Sequence, residues 1–193
     1  MTLIELMVGV SLVAILVMMA VPSFSTSMQN RQVRSSAESI RSALQYARNE
    51  ALRRNRSVSF TLQSDGGWVV GCDPADASLV AGEQVCAATI QSRPAVSSTR
   101  NAQVTAVQTL ASDGSVAGTP VFTGNLRFTS LGRVDTATLP SGNVAVYDVT
   151  NPTGGTCAKD GGEMRCLRIA VTTAGQVRMC DQAVTAAGDP RAC

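Results

Sequence analysis

The apolar positions change their spacing twice along the chain. From Leu6 to Met28 they have no period: the run is uncharged throughout, opens Leu-Met-Val-Gly-Val-Ser-Leu-Val-Ala-Ile-Leu-Val-Met-Met-Ala-Val, and no charge appears before Arg31. As a helix it extends about 35 Å, enough to cross the hydrocarbon core of a bilayer. It lacks the basic n-region and small-residue cleavage site of a secretory signal, so it reads as an anchor; a buried core helix is the alternative. Pro22 falls inside the run and predicts a kink or local unwinding, because it removes a backbone donor and crowds the preceding turn.

The helix continues past the apolar run with a different pattern. Val33, Ala37, Ile40, Leu44, Ala47 and Ala51 recur every three or four residues, a single stripe on a helix face. Arg34, Glu38, Arg41 and Arg48 lie off that stripe and face water. Asn55, Arg56 and a β-branched run end the helix at about fifty residues. From there the period is two. Val58, Phe60 and Leu62 alternate with Ser57, Ser59, Thr61 and Gln63, a half-buried strand. Asp65-Gly66-Gly67 is a turn, and Trp68-Val69-Val70 returns as the other arm of a hairpin. Residues 72–100 read as loop. Further strands are expected at Val104–Leu110, Val121–Thr123, Leu126–Thr129, Val144–Val149, Leu167–Thr172 and Gln176–Cys180, punctuated by glycines. A long helix followed only by strands predicts an α+β fold with antiparallel sheet packed on the amphipathic half of the helix. The expected segments are 1–28 as the membrane-spanning or polymerising half of the helix, 29–55 as its amphipathic half, and 56–193 as a β-rich globular domain.

Charge and cysteine content refine this picture. The net charge of +2 conceals seven arginines against three acids in residues 1–60, and nine bases against eleven acids beyond. A basic stretch just past an apolar run suits phosphate or lipid head groups; a solvated helix face is the plainer reading. Six cysteines and no histidine exclude Ser-His-Asp and Cys-His catalysis and mixed Cys/His zinc sites. No C-x-x-C, Walker-type loop or dinucleotide fingerprint occurs, so the chain reads as a non-enzyme with no metal or cofactor. Asp73 and Asp76 read as loop acids, and Trp68 as a core residue of the hairpin. An even cysteine count behind an anchor points to disulfides in an oxidising compartment. Fifteen pairings are possible; the simplest is sequential, Cys72–Cys86, Cys157–Cys166 and Cys180–Cys193.

Glu5, at the edge of the apolar run in Thr2-Leu3-Ile4-Glu5-Leu6, is the leading functional candidate. A carboxylate there is costly unless paired, and the available counter-charge is an α-amino group, its own or that of an adjacent subunit. A carboxylate resting in the membrane interface is the plainer alternative.

Thr2-Leu3-Ile4-Glu5-Leu6-Met7, followed by an uncharged stretch with Pro22, resembles the class III signal region of type IV pilins and type II secretion pseudopilins. That resemblance implies cleavage by a prepilin peptidase just before Met1, methylation of the Met1 amine, and a Glu5 that recruits or registers subunits; the family usually has Phe where this chain has Met1. Leu44-Gln45-Tyr46-Ala47-Arg48-Asn49-Glu50-Ala51, Gly67-Trp68-Val69-Val70-Gly71, Leu126-Arg127-Phe128-Thr129-Ser130-Leu131-Gly132-Arg133, and Leu167-Arg168-Ile169-Ala170-Val171 leading to Gly175-Gln176-Val177-Arg178-Met179-Cys180 are similar to the GspH/FimT group of minor pilins and pseudopilins. The resemblance implies a structural subunit that helps prime a type IV pilus and sits at its tip. Its implied partners are other minor pilins and the major pilin through the N-terminal helix, the prepilin peptidase and the inner membrane. It further implies a single-pass inner-membrane protein with a periplasmic C-terminal domain, later part of a pilus or pseudopilus at the cell surface. A minor pseudopilin of type II secretion is the alternative. A DNA-binding FimT-like pilin of natural transformation is a further one. Members of that kind carry G-R-x-R, whereas this chain reads Gly175-Gln176-Val177-Arg178, with one phosphate-neutralising charge fewer. Arg165, Arg168, Arg178 and Arg191 are the candidate DNA contacts, with dispersed surface charge as the plainer reading.

Overall fold

The computed structural model describes residues 2–74, 86–94, 101–111, 115–116, 122–186 and 188–193, without the side chains of 19–23. One helix, α1, runs from Leu3 to Arg54. It passes through position 22 uninterrupted, while the side chain of Pro22, and with it the expected kink, lies outside the described residues. It stops at Asn55, which adopts φ 51°, the left-handed conformation that Asn tolerates better than most residues, and whose N–H caps the last carbonyls. The basic side chains of Arg53 and Arg54 sit in that last turn, where they complement the negative end of the helix dipole.

Exposure divides the helix in two. Every large apolar side chain from Leu3 to Met18 is more than half exposed, from 54% at Val8 to 82% at Met18. Burial begins at Val33, and the whole stripe of Val33, Ala37, Ile40, Leu44, Ala47 and Ala51 is buried to 1% exposure or less. Among the described residues no helix is long and apolar enough to cross a membrane.

The rest of the chain forms two four-stranded antiparallel sheets, both packed on the amphipathic half of α1. The first contains β1 (Val58–Leu62), β2 (Trp68–Cys72), β3 (Gln91–Arg93) and β5 (Leu126–Phe128), in the order β3-β2-β1-β5. The second contains β4 (Gln103–Leu110), β6 (Asn143–Thr150), β7 (Leu167–Thr172) and β8 (Val177–Asp181), in the order β4-β6-β7-β8. The β1–β2 hairpin pairs Val58 with Cys72 and Leu62 with Trp68; in its turn the Gly67 N–H bonds Asp65 Oδ1 at 2.8 Å. Alternation sends Val58 and Phe60, Val70, and Leu126 and Phe128 into the core from the first sheet, and Ala145, Tyr147, Val149, Ile169 and Val171 from the second. Tyr147 joins the layers. Its ring makes edge contacts with Phe60 and Phe122, at centroid distances of 5.7 and 5.8 Å, and its hydroxyl donates to the Gly124 carbonyl at 3.0 Å. Full burial pushes that phenol well above its ordinary pKa.

Two expectations need correction. The 72–100 segment is not all loop: β3 pairs with β2, Trp68 opposite Arg93. Phe122 and Thr123 are in no strand; Phe122 is held by its ring against Tyr147 rather than by a ladder, and Val121 lies outside the described residues. Three disulfides join Cys72 to Cys86, Cys157 to Cys166 and Cys180 to Cys193, with Cα–Cα distances of 5.6, 5.5 and 5.1 Å. The first draws residues 86–90 along β2, where the Cys72 N–H bonds the Ala87 carbonyl. Gly71 has no side chain for a reason, since the Ala88 carbonyl occupies the space a Cβ would need.

Candidate assembly surface

The N-terminal half of α1 presents an apolar cylinder with one carboxylate at its head. Thr2 precedes the helix in extended conformation, and its N–H donates to Glu5 Oε2 at 3.4 Å. Glu5 thus bends back over the first turn, where a negative charge complements the helix dipole. The next side chain able to carry positive charge is Arg31, about 39 Å further along the helix. No basic side chain lies between Glu5 and Arg31, and Met1 lies outside the described residues.

The four C-terminal candidate arginines do not form one cluster. Arg168 on β7 is held by Asp148 of β6, with Nε–Oδ1 2.7 Å and Nη2–Oδ2 2.8 Å. This fork raises the guanidinium pKa further. Gln182 Nε2 donates to the same carboxylate at 2.6 Å. Arg178 is exposed opposite Ala170 and makes no ion pair among the described residues. Arg165 and Arg191 lie elsewhere, around a hollow of about 310 Å³ shared with Asn30, Arg31 and Arg34 of the helix. Arg191 grips Asp189 through both side-chain and backbone donors, which holds that carboxyl down at about 2. Sequence reading missed the association of Arg31 and Arg34 with Arg165 and Arg191; no local pattern links residues so far apart.

Three stretches singled out in the sequence meet at the far end of α1. Arg48 Nε donates to the Gly132 carbonyl at 3.1 Å. Gly175, at φ 79°, closes on the same carbonyl so tightly that a Cβ has no room, and Gly132, at φ 71°, faces Leu52. Beside them the Glu50 carboxylate is buried between Arg53 (Nη2–Oε2 2.8 Å) and Arg54 (Nε–Oε2 2.6 Å). The bond from Arg53 is the largest influence lowering its pKa, against the opposing effect of burial. Trp68 is buried under the helix and its Nε1–H donates to Ser39 Oγ at 2.9 Å, the core role expected for it. Asp73 pairs with Arg127 at 3.5 Å, while Asp76 lies outside the described residues. No group of three or more His, Cys, Asp or Glu side chains suited to a metal ion occurs among the described residues.

The sequence model of the family described as Type II transport protein GspH matches residues 36–175. The chain belongs to the GspH family. The match opens at Ser36, on the buried part of α1, and closes at Gly175, so it spans the whole contact among Arg48, Gly132 and Gly175. Among solved structures, the type IV minor pilin FimU of Pseudomonas aeruginosa is similar to this GspH-family chain at 21% identity and a TM-score of 0.47, covering 77% of this chain and 88% of that one. The minor pseudopilin EpsH of the type 2 secretion system of Vibrio cholerae is similar at 11% identity and a TM-score of 0.47, with coverage of 79% and 99%. No curated protein sequence matches significantly.

Proposed function

We propose that this GspH-family chain is a minor type IV pilin, a structural subunit that helps prime a pilus and sits at its tip. The observation that carries the reading is the bare apolar half of α1 headed by Glu5, beside a domain whose own core is complete without it. So large an exposed apolar surface requires lipid or other apolar helices around it. In this reading residues 1–28 anchor the subunit in the inner membrane and later pack among neighbouring helices. Residues 29–55 belong to the domain core, and 56–193 form a periplasmic domain whose cysteines oxidise there. Glu5 pairs with the terminal amine of an adjacent subunit and sets its axial register, Pro22 fits the helix to the bundle, and a prepilin peptidase releases and methylates Met1. Other minor pilins and the major pilin are the partners, and the subunit does no catalysis.

A second reading, a minor pseudopilin of type II secretion, is favoured by the description of the family itself. DNA binding through Arg165, Arg168, Arg178 and Arg191 fits the geometry less well, since Arg168 is occupied by Asp148 and the others are divided.

The test is recovery of the full chain from its native membrane, wild type against Glu5→Ala, with mass spectrometry of what copurifies. Minor pilins with the wild type, and loss of surface filaments in the variant, are expected. Secretion pseudopilins in their place would establish the second reading. Absence of any pilin-like partner, with Glu5→Ala behaving as wild type, would overturn both.

A further inference from the structure

We propose that the hollow bounded by Asn30, Arg31, Arg34, Arg165 and Arg191 is a binding site for the head group of an anionic phospholipid, a phosphate diester such as phosphatidylglycerol. The inference rests on the membrane-anchored reading above and adds the lipid class and the residues that select it. The argument begins with position. The uncharged run ends at Asn30. Arg31 and Arg34 therefore stand within about 10 Å of its end at 1.5 Å per residue, the depth at which lipid phosphates lie when the run fills the hydrocarbon core.

The fold then adds charge from a distant part of the sequence. Arg165 is brought to the helix by its own backbone, whose N–H donates to Asn30 Oδ1 at 2.8 Å. Arg191 is brought by the C-terminal segment, whose carbonyl accepts from the Asp181 N–H at 2.7 Å. Four guanidinium groups thus ring one opening of about 310 Å³, and Leu167 and Met179 supply an apolar floor. A polar rim over an apolar floor suits a molecule with a charged head and a hydrocarbon body.

The carboxylates nearby leave a positive surplus. Glu38 is matched to Arg34 at 2.8 Å and Asp189 to Arg191 at 2.8 Å. Asp181, the acid within the hollow, stands 4.0 Å from Arg165 and accepts from the Ala183 N–H at 3.0 Å. Arg31 has no ion-pair partner among the described residues. A diester phosphate with one negative charge would complete the set. Arginine forks match its two free oxygens.

The experiment uses the full chain in nanodiscs of phosphatidylcholine alone and of phosphatidylcholine with phosphatidylglycerol, with native mass spectrometry counting retained lipids. Wild type is expected to retain phosphatidylglycerol preferentially. An arginine near an anionic surface contributes about fivefold in affinity, so Arg31→Gln/Arg165→Gln should reduce the preference at least about fivefold. Arg133→Gln, remote from the hollow, should leave it unchanged. Insertion into both nanodiscs with no preference for phosphatidylglycerol, or a preference equal in wild type and double variant, would overturn the site and leave the anchor intact. Failure to insert into either nanodisc would instead remove the anchored reading on which the site depends. Loss of a dimer rather than of lipid in the double variant would assign the hollow to a second copy of the chain and overturn the proposal. Displacement of the retained lipid by millimolar inorganic phosphate would show a general phosphate site, and would also overturn it.

Discussion

Replacing Glu5 by Gln separates folding from assembly. In the single subunit the Glu5 carboxylate accepts from the Thr2 N–H at 3.4 Å, in an exposed first turn. Gln keeps an acceptor at the same place, as either residue serves at the third position of a helix. What is lost is the attraction of a full charge to the helix dipole, about 0.3–1 kcal/mol, equivalent to a fall in Tm of no more than about 3 °C for a chain of this size. Assembly should respond very differently. A carboxylate about 4 Å from a neighbour's ammonium group, at an effective dielectric constant near 20, gains about 4 kcal/mol. That corresponds to roughly a thousandfold in the equilibrium for adding one subunit. No other acidic side chain stands nearby to take its place, since the next acid after Glu5 is Glu38. Thermal unfolding of the full chain in detergent, beside filament yield and partner recovery from cells, measures both effects. Near-native Tm with loss of filaments is expected. Wild-type filament yield from Glu5→Gln would show that charge pairing does not set register. A fall in Tm well beyond 3 °C would show that Glu5 acts within the subunit instead.

Four further outcomes follow from the packing. Glu50→Gln should lower stability by about 1–2 kcal/mol in denaturant melts at pH 7, since it leaves Arg53 and Arg54 without their shared anion. The Glu50 pKa is lowered on folding, so its contribution is complete above about pH 4.5 and fades as pH falls through the depressed value; wild type and variant should converge in acid. Gly175→Ala should cost about 2–4 kcal/mol, because a positive φ and the Gly132 carbonyl both reject a Cβ; an unchanged denaturation midpoint would contradict the packing described for the end of α1. Trp68→Phe should cost about 1 kcal/mol through loss of the bond to Ser39, read by circular dichroism since the only Trp is removed. Cys180→Ser/Cys193→Ser opens a link closing 13 residues and should cost about 3 kcal/mol, with the released C-terminal segment visible as faster amide exchange at Asp181.

The legible parts of this fold are those fixed by local repetition. The stripe from Val33 to Ala51 was readable because each member recurs on one helix face, and the structure buries every one of them. The strand β1 was readable from alternation, and β6 and β7 as short runs punctuated by turn glycines. The β1–β2 hairpin was readable from its turn, but pairings between distant strands were not, because register there depends on residues far along the chain: the other edge of β1 meets β5, Val58 opposite Phe128. The division into two sheets shares that cause. β3 was invisible for another reason, since Gln-Ser-Arg has no apolar residue and is held by backbone bonds to β2 at the edge of a sheet. The arginine cluster was half legible. Arg31 and Arg34 stand out after an uncharged run, but only the bond from the Arg165 N–H to Asn30 connects them with the C-terminal third.

The span that matches the family and the residues proposed to carry assembly and lipid binding overlap only in part. The matched region begins where α1 becomes buried and ends at Gly175, so it takes in the Arg48–Gly132–Gly175 contact and stops short of Arg191 and Cys193. It also begins well after Glu5 and Arg31. Within the matched span this contact seats a helix end on two sheets: small residues where a carbonyl approaches, and one guanidinium to satisfy that carbonyl. Such packing defines a scaffold without naming its partners. The apolar half of α1 and the arginine ring lie toward the opposite end of the helix, where substitutions leave the buried stripe untouched. Variants at Glu5, Arg31 and Arg165 can therefore alter assembly or lipid selection in a domain that still folds. Variants at Gly175 or Glu50 weaken the domain first, so any filament defect they cause should scale with lost stability.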